Sequence, residues 1–174
     1  MQVTKVIYGS LFIALGVVLP IGFHLLQLGG VIFLPMHIPV LLAGFILGGK
    51  YGLLVGLLTP LLSHLFTGMP PLSPPMLPMM IVELACYGLA AGILYRNGRN
   101  IYVALIGAMI TGRIGAGVVL YLGTLFLGFH LPVWAFIFGG IMKGIPGIIA
   151  QLFFIPILVK TWEKYKRAGA IRGS

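Results

Sequence analysis

Apolar runs long enough to cross a bilayer recur from one end of this chain to the other, and that feature rules most folds out. Residues 77–95 read LPMMIVELACYGLAAGILY, nineteen positions of nearly unbroken hydrocarbon. A helix needs about 20 such residues to span a ~30 Å hydrocarbon core. A transmembrane barrel would show segments of roughly ten residues alternating apolar with polar, and none occur. Composition closes the soluble alternative. Of 174 residues 60% are hydrophobic and 7% charged, and the mean hydropathy is +1.14. That leaves too little polar surface to clothe a soluble globule. The chain reads as an all-α, polytopic membrane protein with a single domain over residues 1–174.

Six spans can be drawn, at 3–26, 35–48, 51–66, 77–95, 101–127 and 133–159, followed by the tail KTWEKYKRAGAIRGS. The N-terminal run has a basic start but no small-residue cleavage site, so it reads as a retained first span. The second span is short and carries Pro39. It is expected to be tilted, broken or continued by ordered loop, which membranes tolerate where backbone is buried in protein.

The basic residues test this map. Lys5, Lys50, Arg96, Arg99, Lys160, Lys164, Lys166, Arg167 and Arg172 all fall on one side of a six-span drawing. The positive-inside rule makes that side cytoplasmic, with both termini inside. Nine of the eleven basic residues are thereby accounted for. The net charge of +9 is thus topological, and no basic patch interleaves with aromatics as nucleic-acid binding would require. Small residues recur at helical spacing, as in Gly44–Gly48, Gly52–Gly56, Gly88–Gly92, Ala108–Gly112 and Ser10–Ala14. Such pairs let helix backbones approach closely.

Three charges are left over: Glu83, Arg113 and Lys143. Counted inward from the outer ends of the fourth, fifth and sixth spans, they lie at depths of roughly 9 to 21 Å. A charge in lipid is expensive, so all three are expected to face the bundle interior and pair. One reading is a structural lock between helices. The other counts charge: one carboxylate against two cations leaves a spare positive, which suits an anionic ligand that Arg113 could hold bidentately. On that reading Glu83 either offsets a cation or accepts a hydrogen bond from the ligand. His37, Tyr87, His130 and Trp134 join the three charges as candidate binding residues. All four histidines, His24, His37, His64 and His130, map to the outer end. Each is by itself an ordinary interfacial hydrogen bonder, and no two stand at i,i+4, so no metal or other cofactor is expected. The outer loops FHLLQLGGVIFLPMH and TGMPPLSPPM read as ordered caps over a cavity or as plain connectors.

Catalytic patterns are missing: no HExxH, no GxSxG, no P-loop, and no Asp anywhere. No catalytic residue is assigned, and any ATP-driven step would belong to another protein.

The stretch LPMHIPVLLAGFILGGKYGLLVGLLTPLLSHLFTGMPP resembles the substrate-binding S components of energy-coupling factor (ECF) vitamin transporters. Its 34–56 portion carries the pattern xPxHIPVxxAGxxxGxxxGxxxG. The resemblance covers most of the chain and implies a high-affinity, multi-pass binding subunit in a prokaryotic cell membrane. It would have no ATPase of its own. Its partners would be a transmembrane coupling subunit and two ATPase subunits. The small-xxx-small docking motif of the first helix would fall on Ser10 and Ala14, with Ser in place of the first Ala. Ligands of the family sit toward the outer side among the last three helices, where Glu83, Arg113 and Lys143 were placed by depth alone. Within the family the HIP-containing second span resembles pantothenate-type and nicotinate-type members, and both ligands are monoanions. A rival reading is an autonomous transporter with Glu83 as proton carrier. An intramembrane enzyme or assembly factor is disfavoured by the missing catalytic patterns.

Overall fold

The computed structural model describes residues 2–25, 30–72, 76–128 and 132–172. Helix is the only regular structure among them: α1 (Gln2–Leu25), α2 (Gly30–Phe33), α3 (His37–Leu47), α4 (Gly49–Thr67), α5 (Met76–Arg96), α6 (Ile101–Leu127) and α7 (Val133–Arg172). Four of these, α1, α5, α6 and α7, are long and apolar enough to cross a membrane. Their outer faces are oily. On α6, Ile106, Ile110, Ile114 and Val118 form an exposed stripe at helical spacing, while Ala104, Leu105, Ala108 and Leu120 turn inward. An exposed apolar stripe of this length fits contact with lipid rather than water.

The short second span is α3 alone, and a single helical turn lies in the loop before it. α3 has eleven residues, about 16 Å of helix. The one-turn helix α2 precedes it and packs against α7. Leu34 joins the two with φ of +50°. Past α3 the chain reverses at Gly48, whose φ of 97° favours glycine. The reversal brings Gly44 and Gly52, four residues to either side, against each other.

α4 is the least lipid-like of the long helices, and its buried face explains why. Gly49, Gly52, Gly56, Thr59, Pro60 and Ser63 lie on that face, so it can pack main chain on main chain. A Cβ at Gly44 or Gly52 would run into the carbonyl oxygen of Gly88 on α5, and one at Gly88 into that of Gly52. A Cβ at Gly56 would meet the carbonyl of Leu84. The pairs Gly52–Gly56 and Gly88–Gly92 are therefore two edges of one seam within the molecule. Around it packs an apolar core that includes Val40, Leu41, Leu84, Leu105, Ile155 and Val159.

The last helix corrects the expected boundary. A span ending near residue 159 was anticipated, with the tail beyond it, but α7 continues to Arg172, forty residues or about 60 Å. KTWEKYKRA holds strong helix formers and no stop signal. Two contacts anchor it: Trp162 meets Tyr8 of α1 edge-on at 5.1 Å, and Tyr95 Oη donates to Glu163 Oε1 at 2.7 Å. Nearby, Arg96 Nη2 donates to the Leu47 carbonyl at 2.9 Å, and Lys5 lies over the Tyr51 ring. The basic ends of α1, α3–α4, α5 and α7 thus gather at one end of the bundle.

Candidate functional site

Glu83 and Tyr87 stand one turn apart on α5 and so share a face. Both are buried, Glu83 at 4% exposure. Across from them α3 presents His37 in its first turn, held by the bond from His37 N to the Leu34 carbonyl at 3.1 Å. The His37 and Tyr87 rings meet at 5.2 Å between centroids, tilted by 62°. α6 supplies Arg113. Its neighbour Gly112 has no side chain because the Tyr87 ring and the Glu83 carbonyl oxygen occupy that space. Gly112 thus sets how close α6 comes to α5, and with that where Arg113 can reach.

The polar atoms converge on the Glu83 carboxylate. Arg113 Nη1 lies 3.0 Å from Glu83 Oε1, and His37 Nε2 lies 3.7 Å from the same oxygen. The Glu83–Arg113 pair is close but not aligned as a hydrogen bond, so Glu83 Oε1 is left without one. Also lacking a partner are Arg113 Nη2 and both ring nitrogens of His37. Buried polar groups in folded proteins are nearly always satisfied. Four such atoms in one spot make this cluster the candidate site.

α7 walls the cluster with glycine. Positions 140, 144 and 147 fall on one face at helical spacing. A Cβ at Gly140 would stand 3.6 Å from Arg113 Nη1, and one at Gly144 3.9 Å from Nη2 and 3.1 Å from the Leu34 side chain. At Gly147 a Cβ would meet the backbone of Ile32 and Phe33. The 30–34 segment therefore sits on α7 beside Arg113, as an ordered cap would.

Of the residues expected at a binding site, the structure brings Glu83, Arg113, His37 and Tyr87 together. Lys143 is not with them. It is exposed on α7, and neither described carboxylate lies within 4.0 Å of it. It is one residue, 100° of helix, away from the buried position of Gly144. Trp134 is 74% exposed and packs on Phe138 at 5.2 Å. His130 lies outside the described residues. The spare cation therefore drops out of the arithmetic, leaving one carboxylate against one guanidinium. Of the other histidines, His24 is exposed and His64 binds the Pro70 carbonyl through Nδ1 at 2.8 Å.

Sequence reasoning missed Gln151. It is 1% exposed, its Nε2 has no partner, and it continues the α7 face of Gly144 and Gly147. The signal was present: Gln151 is the one polar side chain between Lys143 and Lys160. Ser10 and Ala14 are exposed on α1, and both line an apolar groove of about 420 Å³ with Ile13, Val17, Val18, Leu62 and Phe66.

The comparison that decides the family is a profile match. The profile described as "ECF transporter, substrate-specific component" covers residues 4–159. The chain belongs to that family. As a substrate-specific component it is a membrane, substrate-binding subunit of a transport system, from a family of binding proteins rather than enzymes. No curated protein and no solved structure matches it.

Proposed function

We propose that this substrate-specific component is the high-affinity binding subunit of an ECF-type importer in a prokaryotic cell membrane. Its substrate is a small water-soluble vitamin, held at the cluster of His37, Glu83, Tyr87 and Arg113. The observation that carries this reading is the set of buried unpartnered atoms on His37, Glu83 and Arg113. Arg113 Nη2 offers a free charge-assisted donor, which favours a carboxylate ligand. Pantothenate and nicotinate are the leading candidates. Arg113 alone now supports an anion, because Lys143 lies outside the cluster.

The rest of the reading concerns assembly. Six membrane passes with both termini inside agree with the gathering of the basic ends. The Ser10–Ala14 groove is the docking face for a transmembrane coupling subunit, and two separate ATPase subunits supply the energy. The deciding experiment is mass spectrometry of small molecules carried through purification, followed by calorimetric titration of the ligand found. A ligand of another class, or one whose affinity is unchanged in Arg113→Met, would sink the assignment. One observation favours a second reading: the His37–Glu83 pair is suited to carry a proton, as an autonomous proton-coupled transporter of organic anions would need. Uptake that persists without any ATPase partner would establish that reading instead.

A further inference from the structure

The carboxylate and the guanidinium of the cluster offset each other before any ligand enters. Glu83 brings one negative charge and Arg113 one positive, 3.0 Å apart. A monoanion added here would leave a buried negative charge uncompensated, and burying an unpaired charge is strongly disfavoured. A positive charge has to come from somewhere, and Lys143 is exposed away from the cluster.

His37 can supply it. The side chain is 3% exposed, Nε2 stands 3.7 Å from Glu83 Oε1, and Nδ1 has no partner. A neutral imidazole offers one N–H and one lone pair. Set between Glu83 and a ligand carboxylate, it would have to turn its lone pair toward one of two anions. The imidazolium has an N–H for each. Other groups near the pair do not take over this role. α5 brings Tyr87 and Cys86, which are neutral when protonated, and α6 brings Arg113, which is always charged. The ionisable residues of α1 and α4 lie toward the helix ends: Lys5, Tyr8, Lys50 and Tyr51 at one end, His24 and His64 at the other.

Building on the anionic reading above, we infer that this site binds its anion together with one proton. The proton sits on His37, between the Glu83 carboxylate and the ligand carboxylate, while Arg113 Nη2 donates to the ligand. The binding equilibrium is protein plus anion plus one proton from solvent, giving a complex in which Glu83, ligand, Arg113 and His37 sum to zero charge. The proton belongs to the coupled His37–Glu83 pair. On Glu83 it would leave the ligand carboxylate as Arg113's counter-charge and the same zero total, so the placement on His37 rests on the two N–H groups of the imidazolium and on the His37→Gln variant below.

The test is calorimetric titration of the purified protein with pantothenate and with nicotinate, in buffers of different ionisation heat. At about pH 7.5 both acids are fully ionised. The expected result is uptake of about one proton per ligand, with Kd weakening about tenfold between pH 7 and pH 8. Nicotinamide, the uncharged counterpart of nicotinate, should take up none. In His37→Gln the anion should lose both proton uptake and pH dependence. Tight anion binding by the parent protein with no proton uptake would overturn the inference and leave the anionic reading standing. Uptake unchanged in His37→Gln would overturn the placement on His37. If neither acid binds, or nicotinamide binds in preference to nicotinate, the anionic reading falls and the inference falls with it.

Discussion

Replacing Arg113 by Met should be among the most damaging single changes in this protein, and its cost can be worked from the geometry. Two unit charges 3.0 Å apart attract by about 5 to 6 kcal/mol at an effective dielectric of about 20. The Arg113 side chain is 19% exposed and that of Glu83 5%, so some water screening reduces the figure. What remains after substitution matters more than what is lost. Glu83 would be left buried without its guanidinium partner, at full cost wherever His37 takes up no proton to replace that charge. Breaking a buried pair from one side typically costs about 3–5 kcal/mol, and that is the expected loss of stability. Glu83→Gln should cost less, because the amide oxygen can still accept from Arg113, whose side chain is partly exposed. The double variant Glu83→Gln/Arg113→Met should recover most of the loss, giving a coupling energy of about 2–3 kcal/mol. Reversible unfolding in mixed micelles, followed by circular dichroism, reads all four corners of this cycle. A double variant no more stable than Arg113→Met, or an Arg113→Met loss below about 0.5 kcal/mol, would show that the pair is not buried as described.

Four further expectations can be checked directly. Gly88→Ala should destabilise the bundle by about 1–3 kcal/mol, because its Cβ meets main chain that cannot step aside. Gly139→Ala, with nothing within 4 Å, should be neutral or stabilising by up to about 1 kcal/mol in the same unfolding assay. Ser10→Trp and Ala14→Trp should fill the α1–α4 groove, leaving ligand affinity of the isolated protein intact while uptake by cells carrying the full importer fails. Normal uptake would show that docking lies elsewhere. A single cysteine at Met69, which is 44% exposed, placed in a Cys86→Ala background, should react with an impermeant maleimide from outside the cell. Labelling from inside alone would invert the topology.

The parts of this architecture written in the sequence are those set by local chemistry. α6 begins and ends where its caps say: Asn100 accepts from Tyr102 N, and Gly128 closes the helix in the left-handed region. That Glu83 pairs with a buried cation could be read from scarcity, since few charges occur at that depth and each needs a partner, but scarcity left Arg113 and Lys143 equally eligible. What could not be read is helical phase. Lys143 has the right depth on the right helix, but it stands beside the glycine face instead of on it, and counting residues from a helix end gives height without direction. Nor was α2 legible. Four apolar residues between two spans carry no periodicity, and their helical form depends on the space above Gly147. The tail of α7 was read from charge alone, although Trp162 and Glu163 already held the contacts that extend the helix.

The seam between α3, α4 and α5 has a consequence for how such a site can change. Where main chain rests on main chain, there is no side chain to trim or enlarge, so the spacing of these three helices has no graded adjustment. His37, Glu83 and Tyr87 project from that fixed frame, and substitution there alters which chemical groups are offered without moving them. α7 is different. At Gly140 and Gly144 it meets only the Arg113 and Leu34 side chains, where an added methyl group would shift the wall by a small step, whereas at Gly147 it rests on the backbone of Ile32 and Phe33. Pocket chemistry and pocket size are thus written on opposite walls. New ligand specificities can be sought by varying 140 and 144 for shape while 37, 83 and 87 are varied separately for charge.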